Sequence, residues 1–467
     1  MVQEGRRKGT SGKGASDDRD VMIRLAPTVS LIHEILTESL CKEVFEDHRI
    51  DERERKWVLF ALARFWLVVI LEPPPSLSSL LERTRNRHDP RGFLPEVDAE
   101  SEAFFQRCRD LSSVFFTGLF HSFVSLALPQ ASKQYARDLA YLEKKFRDVL
   151  IIDGSRLDKI AHKLKILWRE KAVVLPGSLL AVYDLFRGVA RQIIFTADAA
   201  SSEFKRAEMA IENVEEESLL LGDRLYCSIE LFRQLNERKL FGLFRRNKSI
   251  LVKKVRKLTS RRLADGGVVE DWLVEVGGAS NPLQLRLIRL RNQGKTYEAL
   301  TNVLDPKRLS ANDAVALYPR RWTVERLFYD LKIVLKLERF YAANPNAVAM
   351  QVYAAAIVHT AFRIAQGNIA KKVGVPPEEL STEKLFPYLA VTSIKLLEAR
   401  FTFYHTCKVN PGVELTEPDW HDFPGTTVSL RYLRVQHRSP IRKKREYDKE
   451  RAKWKSITKV KGSRKLT

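Results

Sequence analysis

Between Val21 and about Phe146, apolar residues recur at three- and four-residue spacings, as in Leu31, Ile32, Ile35 and Leu36 and again in Leu59, Leu62 and Trp66. That period predicts amphipathic helices, and no alternating strand pattern interrupts them. The most apolar run, Trp57 to Leu71, carries Arg64 inside it and stops at Pro73-Pro74-Pro75. It is too short to cross a bilayer and reads as a buried core helix, so we expect no membrane insertion. The texture changes at Asp148. Val149-Leu150-Ile151-Ile152 leads into Asp153-Gly154-Ser155, the pattern of a buried strand ending at a turn. Ser178 to Phe186 and Arg191 to Thr196, separated by Arg187-Gly188, predict a hairpin, and an amphipathic helix follows near Glu203 to Val214. Ser218 to Asp223 again delivers an aspartate from an apolar strand. A helix near Ser228 to Arg238 and a strand from Phe241 to Arg245 come next. Strands alternating with helices define an α/β segment.

From residue 247 to 302 the period shortens to two, in Gly267 to Glu270, Trp272 to Val276 and Leu283 to Leu290, punctuated by Gly-Gly, Asn-Pro and Gln-Gly. This is expected to be a β-rich insertion. A long helix is predicted to start at the N-cap Ser310 and run past Lys336, with further helices over roughly 345–405. Residues 1–20 and 441–467 lack apolar periodicity and are expected to be disordered. The domain organisation that follows is a helical N-terminal region over 21–146, an α/β core over 147–246 and 297–340, the insertion at 247–296, a helical C-terminal region at 341–440 and a basic tail.

Composition is that of an ordinary globular protein except in charge: 80 Lys and Arg against 58 Asp and Glu give +22 and a pI near 9.8. Such a surplus concentrates a polyanion around the chain, with nucleic acid the leading candidate and an anionic membrane surface the alternative. The basic tail from Arg442 would add to that affinity. Four well-separated cysteines, Cys41, Cys108, Cys227 and Cys407, form no CxxC pair and suit a reducing, cytoplasmic setting, consistent with the absence of an apolar leader. The nine histidines form no HExxH pair, which argues against a zinc hydrolase, and no GxxxxGK[ST] loop suggests a nucleotide cofactor.

Two aspartates at the ends of apolar strands, Asp153 and Asp223, sit where open α/β sheets place ligands, although aspartate also caps turns for backbone reasons. On a regular helix, Tyr318, Arg321, Glu325 and Lys332 would fall at about 0°, 300°, 340° and 320°, one narrow stripe beside the apolar Leu317, Val324, Phe328, Leu331 and Leu335. That stripe fits either an interfacial salt-bridge ladder or a site facing the rest of the fold. A glutamate brought to two aspartates repels them unless a cation intervenes, and three hard oxygen donors suit Mg²⁺ or Mn²⁺. Two such ions ~3.5–4 Å apart activate a nucleophile on one side of a phosphodiester and stabilise the leaving oxygen on the other. Arg321 and Lys332 would then hold neighbouring phosphates. Trp322 reads as a core residue.

The run Tyr318-Pro-Arg-Arg321-Trp-Thr-Val-Glu325 followed by Lys332 resembles the Y-(2)-R-(3)-E-(6)-K signature of the insertion-sequence-four (Tn-five-like) DDE transposases. Ile152-Asp153-Gly-Ser, Leu221-Gly-Asp223-Arg-Leu-Tyr226 and Ala299-Leu-Thr-Asn-Val-Leu-Asp305 are similar to that family too, over roughly residues 148 to 340. The resemblance implies an RNase H-like core with a β-rich insertion between the second aspartate and the glutamate. It implies Asp153, Asp223 and Glu325 as catalytic, two-metal-binding residues, and Tyr318, Arg321 and Lys332 as contacts to transposon-end phosphates. Tyr297 stands where relatives stack an aromatic residue, tryptophan in the comparison, on a base flipped out at the end. Arg245 stands where they place an arginine near the DNA. The implied activity is cleavage of terminal inverted repeats and strand transfer to target DNA by a homodimer, the helical N-terminal region reading end sequence and the C-terminal helices dimerising. A catalytically retired DNA-binding repressor and a stand-alone metal-dependent nuclease are the alternatives.

Overall fold

The computed structural model describes residues 21–85, 93–157, 177–198, 202–263, 266–278, 280–337, 339–342, 344–410, 412, 415–420, 423 and 426–435; both expected disordered ends lie outside these. A three-residue strand β1 (Met22–Arg24) opens the described chain and pairs antiparallel with β11 (Thr427–Ser429). Helices α1 (Glu38–His48), α2 (Leu59–Leu71), α3 (Leu77–Arg85), α4 (Ser101–Asp110) and α5 (Val114–Ala127) follow, as the three-four spacing predicts. β1 escaped prediction because three residues are too few to show a period. α2 is the apolar run and is buried, and its single charge is met inside the fold. The Arg64 Nε donates to the Phe93 carbonyl at 2.8 Å, and the guanidinium lies 4.2 Å from the Phe401 ring centroid.

The α/β segment supplies β2 (Val149–Arg156), β3 (Ser178–Asp184), β4 (Val189–Thr196), helix α6 (Glu203–Ile211), β5 (Leu219–Gly222), helix α7 (Ile229–Glu237) and β6 (Phe241–Arg245). β2, β3 and β4 form an antiparallel meander, while β5 runs parallel to β2 and β6 parallel to β5. The insertion contributes β7 (Val252–Arg262), β8 (Val268–Val276), β9 (Leu283–Asn292) and β10 (Lys295–Thr301). These do not make a sheet of their own. β10 pairs with β6, so one nine-stranded sheet runs β4-β3-β2-β5-β6-β10-β9-β8-β7. β7 was unforeseen because, as the outer edge with most side chains in solvent, it has no apolar alternation. Its Lys253, Lys254, Arg256, Lys257, Arg261 and Arg262 are the kind of residues that discourage edge-to-edge pairing.

Alternation along each core strand sends side chains to two different cores. Val149 and Ile151 join a cluster that extends from Ile23 to Leu433, whereas Leu150 and Ile152 pack with α6 and α7 on the other face. The first face is covered by α10 (Pro345–Val373), which also packs on α2, α4 and α5. This helix is long and apolar enough to cross a membrane, but its apolar window is wholly buried inside the protein. The last long helix, α11 (Thr382–Val409), completes the C-terminal region. Between β10 and α10 lie α8 (Ala311–Leu317) and α9 (Thr323–Tyr329).

The approach to α8 is pinned by a buried ion pair. Arg286 of β9, fully buried, gives Nε and Nη2 to the Asp271 carboxylate at 3.2 and 2.5 Å, and its Nη1 donates to the Val303 and Leu309 carbonyls at 2.9 and 2.8 Å. Ser310 then caps α8 reciprocally with Asp313, as its position predicts.

Candidate active site

Asp153 lies five residues into β2 rather than at its end, because the strand continues through Gly154 to Arg156 alongside β3. The Asp-Gly pair is therefore not the expected turn. Asp223 does follow β5 directly, and its Oδ1 accepts the Leu225 amide at 2.7 Å, so it also performs the local turn-capping task.

The predicted long helix is broken. After α8, Pro319 falls in a 3₁₀ segment, Tyr318–Trp322; then comes α9, then a π turn, Asp330–Val334, closed by the Leu335 amide on the Asp330 carbonyl at 2.8 Å. Proline has no amide to continue an α-helix, and π turns are an uncommon geometry that gathers at functional sites. Buried Asp330 anchors this turn: Arg326 Nε lies 3.0 Å from its Oδ1, to which Thr382 Oγ1 donates at 2.8 Å, and His359 Nε2 sits 3.6 Å from Oδ2.

Despite these breaks, Arg321, Glu325 and Lys332 face the same cleft as Asp153 and Asp223, an open hollow of about 560 Å³. Glu325 is solvent-exposed and has no hydrogen-bond or ion-pair partner among the described residues. Arg321 is buried and reaches Asp153, Nη1 to Oδ2 at 2.9 Å, while the Gly154 amide donates to Asp153 Oδ1 at 3.0 Å. Burial pushes the Asp153 carboxyl up to about 6 even so; Arg321 and the Gly154 amide pull it down, and Asp223 and Glu203 add to the rise. Lys332 Nζ donates to Ser155 Oγ at 2.6 Å and to the Arg156 carbonyl at 2.5 Å, tying the π turn to the tail of β2.

Tyr318 does not line the cleft. It is buried against Tyr297 of β10, ring centroids 4.8 Å apart. Arg245, exposed at the end of β6, acts electrostatically on both phenols but likewise lies off the cleft. The stripe is thus three residues on the cleft and one beside it.

Trp322 departs most from expectation. It is 56% exposed and, with Tyr329 and Ile333, forms an apolar rim to the cleft, the Arg321 guanidinium lying 4.4 Å from its ring centroid. Its size and apolar ring suggest a core residue, but on the regular helix drawn from Tyr318 it would fall at about 40°, away from the apolar stripe.

The donor set of the cleft is chemically hard: three carboxylates and no thiolate or imidazole line it. Among the described residues no three acidic, histidine or cysteine side chains converge closely enough to hold a cation as they stand. Asp153 is instead engaged by Arg321, so cation binding calls for that pair to open.

An α/β sheet that brings two aspartates, a glutamate, an arginine and a lysine to one cleft is suited to binding phosphorylated polymers through cations and basic side chains. Residues 144–361 match the family described as the transposase DDE domain. Similar proteins include the transposase candidate y4zB of Sinorhizobium fredii, 33% identical over 32% of this chain and 44% of that protein. The transposase for insertion sequence element IS4SA of Synechocystis is 23% identical over 34% and 45%, respectively. The transposase InsG for insertion sequence element IS4 of Escherichia coli is 26% identical over 39% and 42%. A piggyBac transposase synaptic complex with hairpin DNA aligns at 11% identity and TM-score 0.37 over 85% of this chain and 84% of that one, too loose a likeness to carry an argument. Residues 144–361 are thus similar to a transposase DDE domain, and transposases of insertion sequence elements IS4SA and IS4 are among the similar proteins. It spans less than half the length of these curated relatives.

Proposed function

We propose that the chain is a DNA transposase that binds the terminal inverted repeats of an insertion sequence, hydrolyses the end phosphodiesters and transfers the freed 3′-OH ends to target DNA. The observation that carries this reading is the convergence of Asp153, Asp223, Glu325, Arg321 and Lys332 on one cleft within the matched domain. The meander β4-β3-β2 continued by parallel β5 and β6 supports an RNase H-like core. The formal charge of +22 supports DNA as partner.

Asp153, Asp223 and Glu325 would hold two Mg²⁺ or Mn²⁺ ions, which when bound supply Lewis-acid activation of the scissile phosphate and of the attacking oxygen. Arg321, held in reserve on Asp153, is placed to turn to a phosphate once a cation takes over that carboxylate. Lys332 fixes the tail of β2 and presents a charge to the same side of the cleft. Tyr318, Tyr297 and Arg245 form an adjoining patch to which end DNA would extend, with Tyr297 offering its ring to a displaced base. In this reading the N-terminal helices read end sequence and the C-terminal helices pair two copies.

The test is cleavage of an oligonucleotide bearing the element's end in Mg²⁺, followed by joining to a plasmid. Asp153→Ala, Asp223→Ala and Glu325→Ala should each abolish cutting while end binding persists. Wild-type protein that binds ends without cutting would instead identify a repressor, and cutting without joining would identify a nuclease.

A further inference from the structure

The ladder between β2 and β5 stops short of the acids. Its last rung is Ile151 with Leu221, and Asp153 and Asp223 each lie two residues further on. Beyond that rung β2 is held only by β3, and β5 only by β6. No backbone hydrogen bond between the two strands therefore sets the separation of the two aspartates.

A side-chain bridge takes the place of the missing rungs. Glu203, first residue of α6, accepts a hydrogen bond from the Tyr226 hydroxyl, which belongs to the turn that carries Asp223. The same carboxylate crowds Gly154, the neighbour of Asp153: a Cβ there would overlap the Oε1 that accepts from Tyr226. The fully buried Tyr226 ring lies in turn against Gly222, where a Cβ would come within 2.9 Å of its Cδ2. The two glycines flanking the aspartates are thus the seats of one bridge: Gly154, Glu203, Tyr226, Gly222. This also explains a glycine after Asp153 where no turn exists.

We propose that Glu203 and Tyr226 are positioning residues, a cross-brace that sets the spacing of the Asp153 and Asp223 carboxylates and thereby the cation affinity of the cleft. The inference rests on the proposed function, since it assumes that those two acids share cations. Burial, with Glu203 adding to it, pushes the Tyr226 phenol upward, so it remains a donor throughout the working range. Positioning partners of this kind change metal affinity by about 10–100-fold when removed.

The experiment uses the full chain without DNA and measures Mn²⁺ binding by titration calorimetry, with thermal unfolding and end cleavage in parallel. Tyr226→Phe keeps the ring and its packing, and Glu203→Gln keeps an oxygen to accept from Tyr226, whereas Glu203→Ala removes the brace. Tyr226→Phe and Glu203→Ala should each weaken Mn²⁺ binding about 10-fold or more. Glu203→Gln should stay within about threefold of the wild type. End cleavage by Tyr226→Phe should recover at raised Mn²⁺, which a simple folding defect would not allow. Unchanged Mn²⁺ affinity in folded Tyr226→Phe and Glu203→Ala would overturn the brace. So would a Glu203→Gln loss as large as that of Glu203→Ala, which would point to the Glu203 charge rather than its contacts. Wild-type protein that binds no Mn²⁺ would overturn the proposed function itself, and the brace with it.

Discussion

Truncating Asp271 to alanine isolates the energetics of the joint between the insertion and α8, the helix that precedes the segment carrying Glu325. Its partner Arg286 is 0% exposed and Asp271 1%, so neither charge can recover hydration if the other is lost. Removing one member of such a pair typically costs about 3–5 kcal/mol, a large part of the roughly 5–15 kcal/mol that holds a domain together. Replacing Arg286 with methionine strands the carboxylate instead and also unpairs the carbonyls of Val303 and Leu309, at about 1–3 kcal/mol for each buried acceptor left unmade. In the double variant Asp271→Ala with Arg286→Met no charge remains, so the two carbonyls and the space left by the side chains are what remain to account for. The double variant should therefore lose less than the sum of the single losses, by about 2 kcal/mol or more. Urea unfolding followed by tryptophan fluorescence gives the three values. The functional counterpart is end cleavage at a temperature where each variant is still folded. Arg286→Met should be the more impaired of the single variants, because it releases the Val303–Leu309 connection from which α8 starts. A loss below about 1 kcal/mol for Asp271→Ala, or strict additivity in the cycle, would refute the argument.

Three further outcomes follow from the cleft itself. Burial raises the Asp153 carboxyl to about 6, and only its ionised form can bind a cation, so Mn²⁺ affinity should fall as pH drops through 6. For stability the sign is opposite: an acid raised on folding contributes stability below its unfolded value near 3.9 that is lost as pH rises to 6. Asp153→Asn should remove that component, and an unaltered pH profile of unfolding would contradict it. Trp322→Ala should leave the unfolding midpoint nearly unchanged, within about 0.5 kcal/mol for an exposed side chain, yet weaken end binding; a drop of several degrees would restore Trp322 to the core.

Much of the core could be read from residue order alone, because its strands are buried on both faces and announce themselves as apolar runs. β6 and the β3–β4 hairpin fall where the pattern puts them, and so does the N-cap Ser310. What escaped depended on long-range pairing or on departures from a regular period. Nothing in the alternation of β8 and β9 reveals that β10 would dock on β6 and lengthen the core sheet. β7 carries no apolar period because it buries neither face. The α-helical wheel through Tyr318 to Lys332 assumed one pitch where the chain uses three. It still grouped Arg321, Glu325 and Lys332, but it added Tyr318, which the structure buries beside the cleft. The Asp153-Gly154 pair was misread for a different reason: glycine commonly marks a turn, and its second use, yielding space to a carboxylate from another element, leaves no local signature.

The pairing of β1 with β11 bears on how this protein can be taken apart or recombined. The first and last strands of the described chain are neighbours, and one of its two apolar clusters draws residues from Ile23 to Leu433. Excising the segment over 147–340 would strip α10 and the N-terminal helices from the sheet face they pack on. Grafting the N-terminal helices onto a foreign catalytic segment would leave β1 without its partner and α2 without α10. In modular terms the body is a single cassette closed by a clasp, and exchange between relatives is expected to preserve both halves of that clasp together.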